Sequence, residues 1–208
     1  RFGNLTLSES LARVLGHILG DGGVHIIKNE GKYRAFYVNN EDILLDSFKE
    51  DINKIFGENR IYFRRRENHG DEIWLSSTIG FILYNLLEYP KFTEKRVPSI
   101  ITGAKNQSII SSFLQALYDD EGFLYPKKHM VVISLANQNL LKDIRKLVLG
   151  LGINTNRILI HNSKNRTKMY YFSITGRDNI TKFKEDIGFK HPIKMNKLNQ
   201  LINNYRVR

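Results

Sequence analysis

The 208-residue sequence lacks cysteine, a long apolar run and a signal peptide. Without cysteine there are no disulfides, no thiolate zinc sites and no cysteine nucleophiles. The other two absences argue against a membrane-spanning segment and predict an intracellular location at DNA rather than secretion. The six histidines show no metal-ligand spacing. The chain begins at Arg1 rather than methionine, so we expect a trimmed chain or an excised segment.

Positive charge is the most informative bulk property. The sequence has 32 Lys and Arg against 21 Asp and Glu, a net charge of +11 and a pI near 9.7, which favours a polyanionic partner, nucleic acid first. Residues 1–103 carry 14 basic and 14 acidic side chains, whereas residues 104–208 carry 18 and 7. In the first half the acids concentrate on the segment 41–58 and the bases on the predicted strands. This sorting predicts a basic sheet face that lies along a phosphate backbone.

An internal repeat organises the chain. Gly22 and Gly122 each follow an acidic residue at the end of an apolar helical stretch, and later positions match at a nearly constant offset. The later matches pair Asn40 with Asn137, Arg60 with Arg157, and Trp74 with Tyr171. Proline and glycine mark a boundary near 98–105. We therefore expect two related units, at 1–103 and 104–208.

Hydrophobic periodicity predicts an α+β fold in which each unit runs helix, two strands, helix, two strands, helix. Thr6 with Glu9 predicts a capping box for the first helix. In the first unit we expect helices at 6–20, 42–56 and 78–88 and strands at 24–28, 33–38, 60–66 and 72–77. In the second we expect helices at 108–119, 139–150 and 178–187 and strands at 123–126, 130–135, 157–161 and 169–175.

Small residues line one side of the first helix at steps of four, at Ala12, Gly16 and Gly20, and the related helix has Ser112 and Ala116. Because glycine inside a helix costs roughly 1 kcal/mol relative to alanine, these stripes predict close contact between the two helices. That contact would bring Asp21 and Glu121 together at the helix C-terminal ends. Either acid alone could be an ordinary solvated residue, but the repeat relates the two.

Two adjacent carboxylates at the negative ends of helix dipoles repel each other, and a shared divalent cation resolves the repulsion. Hard oxygen ligands favour Mg²⁺, and Mn²⁺ or Ca²⁺ can occupy the same sites. A cation held beside a basic sheet points to metal-assisted hydrolysis of a phosphodiester.

The residues 14–22 (VLGHILGDG) and 114–122 (LQALYDDEG) resemble the paired motifs of the LAGLIDADG homing endonucleases, of the monomeric two-repeat type. The resemblance implies pseudo-symmetric αββαββα repeats, each with a curved antiparallel sheet, that together form a saddle over DNA. It implies that Asp21 and Glu121 bind metal with help from the backbone carbonyls of Gly20 and Asp120. The implied product is a double-strand break with short 3′ overhangs in a long, asymmetric target.

The second motif contains three consecutive acids, and only Glu121 matches Asp21 in register. His17 and Leu19 depart from the usual motif residues.

The resemblance also suggests further site residues. Members often place an amide or a basic side chain near the metals, which makes Asn40 a candidate, beside Asn39 and with Asn137 as its counterpart; an N-cap role is the alternative. A lysine near the end of each repeat is common, which makes Lys95 and Lys194 candidates.

Alternate strand residues should contact the DNA bases and phosphates. The candidates in the first unit are Lys28, Lys32, Arg34, Tyr37, Arg60, Arg64, Arg66 and Trp74. The candidates in the second unit are Lys127, Lys128, His161, Lys164, Arg166, Lys168 and Tyr170.

The sequence therefore predicts a monomeric, site-specific, Mg²⁺-dependent DNA endonuclease whose partner is double-stranded DNA, with neither a membrane nor a protein partner. Three alternatives stay open: an RNA maturase that assists intron splicing, a non-catalytic DNA-binding protein on the same fold, and the nuclease domain of an intein. The chain has no Cys or Ser at its start and no terminal His-Asn, so we expect no splicing domain within it.

Overall fold

The computed structural model describes residues 5–58, 61–66, 69–88, 94–161 and 168–205. The first unit contains α1 (Glu9–Leu19), β1 (Gly22–Ile27), β2 (Lys32–Asn39), α2 (Asp42–Phe56), β3 (Tyr62–Arg64), β4 (Asp71–Trp74), α3 (Ser77–Leu87) and α4 (Ser99–Thr102). The second contains α5 (Gln107–Glu121), β5 (Gly122–Tyr125), β6 (Met130–Leu135), α6 (Gln138–Gly150), β7 (Leu159–His161), β8 (Met169–Thr175), α7 (Arg177–Asp186) and α8 (Pro192–Asn203). No described helix is long and apolar enough to cross a membrane.

The mixed α and β fold expected from the sequence is confirmed, and its differences from the prediction are local. Ser8, not Thr6, caps α1, because its hydroxyl accepts the Leu11 N–H at 3.2 Å. The strands β3, β4 and β7 are shorter than predicted. The helices α4 and α8 were not predicted, although Pro192 at the first position of α8 is a common helix start.

Each unit has one four-stranded antiparallel sheet, ordered β1-β2-β4-β3 in the first and β5-β6-β8-β7 in the second. One face of each sheet packs against helices: Ala35, Tyr37 and Ile73 of the first sheet are fully buried there. We call the opposite faces the N-terminal and C-terminal open faces. Pairing register assigns their alternate residues, for example Arg34, Phe36 and Trp74 in the first.

The two motif helices pack directly against each other, as the stripes of small residues predicted. A Cβ atom added at Gly16 would lie 2.6 Å from the Phe113 carbonyl oxygen and 2.8 Å from the Ala116 Cβ. A Cβ added at Gly20 would lie 2.8 Å from a carboxylate oxygen of Asp120. Glycine is therefore required at both positions by the approach of α5, and the helix-propensity cost at Gly16 has a packing reason.

Strand register corrects part of the repeat alignment. Gly22 pairs with Tyr37, and Gly122 pairs with Ile133, so the offset between the units at this hairpin is 96 residues. Asn137 therefore corresponds to Glu41, and both residues are N-caps of the following helix. The predicted pairing of Asn137 with Asn40 was wrong by one position, because the hairpin in the second unit is shorter.

Candidate active site

Asp21 and Glu121 stand at the C-terminal ends of the two packed motif helices. Asp21 follows Gly20, the C-cap of α1, and is the more exposed of the two, whereas Glu121 is the last residue of α5 and is half-buried. Loss of hydration raises the pKa of Asp21 to about 6 and that of Glu121 to about 7. The negative charge of Asp120 raises both pKa values further, and the negative charge of Asp21 also raises the pKa of Glu121. The two carboxylates thus repel each other in the metal-free protein.

Two lysines converge on this pair from outside the motifs. Lys95 is buried, and its Nζ donates a hydrogen bond to the Leu19 carbonyl at 2.9 Å. Lys194, in α8, donates to the carbonyls of Asp119 and of Gly122, the latter at 2.7 Å. Leu19 and Asp119 are equivalent residues of the two motifs, so the lysines occupy pseudo-symmetric positions. Both lysines lie within electrostatic range of Asp21 and Glu121.

Burial lowers the pKa of Lys95 to about 8, against the opposing effect of the two carboxylates. Burial also lowers the pKa of Lys194. The neighbouring segment holds Lys95 in place, since Arg96 forms a two-pronged ion pair with Asp143 of α6 at 2.5 and 2.8 Å. A lysine whose pKa approaches neutrality can both neutralise a phosphate and exchange a proton.

The three consecutive acids of the second motif have three different environments. The Asp119 carboxylate is buried and accepts the backbone N–H groups of Lys190 and His191, at 3.0 and 3.1 Å, just before α8. The Asp120 carboxylate is fully buried in the other unit. Only Glu121 reaches the site shared with Asp21, which agrees with its register in the repeat.

Asp120 forms a polar network with the first unit that the sequence reading missed. Its carboxylate contacts His17 Nδ1 at 3.0 Å and accepts hydrogen bonds from the Tyr37 hydroxyl at 2.7 Å and the Asn39 amide at 3.4 Å. Burial alone would lower the pKa of His17, but the charge and hydrogen bond of Asp120 outweigh it and the pKa is raised.

The network is built in one unit only. By register, the residues equivalent to His17, Tyr37 and Asn39 are Leu117, Ile133 and Leu135, all apolar. The sequence did contain a signal for this network. Three polar residues of the first unit stand where the second unit has apolar ones, and Asp120 of the second unit stands where the first has Gly20.

The two neighbouring amide candidates have different environments. Asn40 is exposed just after β2, whereas Asn39 contacts Tyr37 and Asp120, and a role for Asn40 near the metals stays a prediction. The side chain of Asn137 accepts the N–H groups of Asn139 and Leu140, as an N-cap does. Asn137 also borders a cavity of about 170 Å³ next to Glu121 and Lys95.

The chemistry of the donor set fits a divalent cation. Two carboxylates whose pKa values are raised by burial and by neighbouring negative charge gain from a cation between them, and hard oxygen donors suit Mg²⁺, which commonly uses one or two carboxylates plus substrate phosphate. Among the described residues, no cluster of three or more His, Cys, Asp or Glu side chains could hold a metal alone. The participation of the Gly20 and Asp120 carbonyls stays a prediction.

The N-terminal open face is polar and aromatic. Its cationic residues are Lys32, Arg34 and Arg64, and Lys28 is exposed in the turn after β1. His25 stacks on Phe36 with ring centroids 4.9 Å apart, and Trp74 lies beside both. Glu72 interrupts the positive charge; it accepts the Trp74 indole N–H at 2.9 Å and pairs with Arg66 at 2.9 Å. Arg60, Lys164 and Arg166 lie outside the described residues.

Two predicted DNA contacts are wrong because strand phase turns them inward. Tyr37 is fully buried and hydrogen-bonded to Asp120. Tyr170 packs against the core opposite Leu135, while its neighbour Tyr171 belongs to the open face.

The C-terminal open face is apolar rather than basic, which corrects the expectation for that unit. Its residues include Phe123, Tyr125, Met130, Val132 and Tyr171. Among the residues that the structure describes, Lys127 and Lys128 in the β5–β6 turn and exposed Lys168 stand at its margin, and His161 lies on β7. Helices α6, α7 and α8 carry 8 of the 18 basic side chains of this unit.

Known proteins resemble this chain in one domain and in the fold. Residues 108–188 match the family model of the LAGLIDADG-like domain. The chain has a LAGLIDADG-like domain and the LAGLIDADG fold. Among solved structures, the homing endonuclease I-DmoI in complex with DNA and Mn superposes with a TM-score of 0.65 at 24% identity, over 88% of this chain and 98% of that one. Full-length DUF199/WhiA from Thermatoga maritima gives 0.61 at 15% identity, over 98% of this chain and 62% of that one.

Curated relatives extend the similarity to sequence. The replication factor C small subunits of Methanocaldococcus jannaschii and Thermococcus kodakarensis are 28% and 26% identical over 97% and 93% of this chain. An isomerizing glutamine–fructose-6-phosphate aminotransferase of Methanocaldococcus jannaschii is 24% identical over 95%. The chain spans only 10%, 21% and 18% of these proteins. The LAGLIDADG resemblance inferred from the two motifs is confirmed by the family model and by the fold of the solved structures.

Proposed function

We propose that the chain is a site-specific homing endonuclease that hydrolyses both strands of a long, asymmetric DNA target and leaves short 3′ overhangs. The observation that supports this most directly is the pair Asp21 and Glu121, which stand at the ends of two packed helices with Lys95 and Lys194 beside them. A protein that only binds DNA needs no such arrangement, because carboxylates that repel each other destabilise the fold and also repel the DNA phosphates.

In the proposed reaction, Asp21 and Glu121 would hold Mg²⁺, and a bound ion would supply stabilisation of negative charge during in-line displacement at phosphorus. Lys194 and Lys95 neutralise the growing negative charge of the phosphate. Lys95 has a pKa near 8 and can donate a proton to the leaving oxygen. Each lysine ammonium group donates a hydrogen bond to a carbonyl at a helix end, and these bonds hold the two ammonium groups near the carboxylates.

The chain contains both repeats, so we propose that it acts as a monomer, on double-stranded DNA inside the cell. The relatives bear names of unrelated activities, yet each shares the same segment of about 200 residues. A unit common to unrelated proteins is typical of an inserted domain, so we propose an intein- or intron-encoded origin.

The test is incubation with a randomised duplex library and Mg²⁺, followed by sequencing of the newly formed ends. We expect one recurrent site with paired breaks, lost in Asp21→Asn and Glu121→Gln and retained in Glu50→Gln, which alters an exposed acid on α2. Recovery of a bound site without cleavage would support a non-catalytic DNA-binding protein. Preference for structured intron RNA over duplex DNA would support a maturase.

A further inference from the structure

The two open faces differ in chemistry although the units share one fold. On the N-terminal face Arg34 and Arg64 are exposed, and they project guanidinium groups from β2 and β3. On the C-terminal face the exposed large side chains are apolar or aromatic, with Phe123 47% and Tyr125 40% exposed. A surface of this kind on a soluble protein marks a contact site.

The apolar residues enclose a shallow hollow of about 310 Å³. Its floor and walls are formed mainly by Phe123, Tyr125, Met130, Val132, Met169 and Tyr171. Lys128 stands at its margin with Nζ 5.3 Å above the Tyr125 ring. Apolar floor and cationic margin match a DNA groove, where base edges are central and phosphates lie on either side.

The hollow adjoins the candidate active site. Met169 lines the hollow and also the cavity that contains Glu121 and Lys95. We therefore expect a duplex that reaches the carboxylates to pass over this face. This adjacency favours DNA as the occupant over a protein partner.

We infer that the C-terminal unit recognises its half of the target through the 5-methyl groups of thymine, so that this half-site is rich in T·A pairs. This inference rests on the proposed function. The thymine methyl is the one apolar group that a base pair presents in the major groove, and guanine instead presents two acceptors that suit arginine. Arg34 and Arg64 therefore fit guanine contacts in the other half-site, and the target is asymmetric in composition.

The experiment replaces thymine by uracil, which removes only the methyl group. A target selected from a random library is resynthesised with deoxyuridine in one half-site at a time, and the Kd of the chain is measured for each duplex. A buried methyl contributes about 0.8 kcal/mol, so we expect about four-fold weaker binding per contacted thymine in one half-site and little change in the other.

Phe123→Ala identifies the responsible unit. We expect the variant to bind the thymine and uracil forms of the affected half-site equally well. The wild type should still bind the uracil form more weakly. The matched control is Phe81→Ala, which removes an equally exposed ring, 50% accessible, from α3 away from both open faces. Both side chains are half exposed, and melting curves verify that the two variants fold.

The outcomes separate the inference from the proposed function. Tight, site-specific binding that is indifferent to uracil in both half-sites overturns the thymine inference and leaves the nuclease proposal standing. Failure to select any duplex contradicts the proposed function itself. A concentration-dependent dimer that disappears in Phe123→Ala would show that a second copy covers the hollow, and this also overturns the inference.

Discussion

Replacing Glu121 with glutamine tests the electrostatics of the carboxylate pair without reference to cleavage. The substitution keeps the size of the side chain and removes its charge. The pKa of Glu121 is raised to about 7 from an ordinary value of 4.5, so the unfolded state releases this proton more readily than the folded state. Ionisation of Glu121 therefore destabilises the metal-free fold, and the glutamine variant is expected to be more stable.

The magnitude follows from the shift. One pKa unit corresponds to about 1.4 kcal/mol, so ionised Glu121 lowers the free energy of unfolding by at most about 3–4 kcal/mol. Partial exposure and coupling to Asp21 reduce this, and we expect about 1–2 kcal/mol, or about 2–8 °C in Tm for a chain of this length. The penalty is absent below about pH 4.5, grows up to about pH 7 and is constant above.

The assay is thermal or urea unfolding of wild type and Glu121→Gln in EDTA at pH 4.5 and pH 8. We expect a stability gain for the variant at pH 8 that shrinks at pH 4.5. Mg²⁺ should raise the Tm of the wild type at pH 8 and have little effect on the variant. Glu50→Gln should change neither. Equal or lower stability of Glu121→Gln at pH 8 would refute the argument that burial and neighbouring charge make ionisation of Glu121 unfavourable in the fold.

Three further predictions follow from the site. Gly16→Ala should destabilise the chain by about 1–3 kcal/mol despite its better helix propensity, since the new Cβ meets the Phe113 carbonyl at 2.6 Å; urea unfolding measures this. Tyr37→Phe removes the hydroxyl that donates to Asp120 and should cost about 1–3 kcal/mol, while target specificity is retained; a base-specific change in its selected target would contradict burial of Tyr37. Lys194→Met should lower the single-turnover cleavage rate by at least about ten-fold with near-normal DNA affinity, and a loss confined to binding would contradict its placement beside the carboxylates.

The sequence by itself determined the motifs, the repeat and the pairing of the two acids. Local periodicity was enough for α2, whose predicted bounds 42–56 match the structure, because an amphipathic helix reports its buried side within a few turns. Glycine at steps of four was enough to predict close contact of α1 and α5, because only a neighbouring backbone explains glycine inside a helix.

Only the tertiary structure decided which side of its sheet each strand residue faces and which environment each acid of the second motif occupies. A shift of one position turns a side chain to the other face, so Tyr37 and Tyr170 were assigned to DNA although they face the interior. The inward turn of Asp120 depends on partners more than 80 residues away, at His17, Tyr37 and Asn39. The apolar character of the C-terminal open face could not be predicted from net charge, because net charge counts residues without regard to the surface on which folding places them.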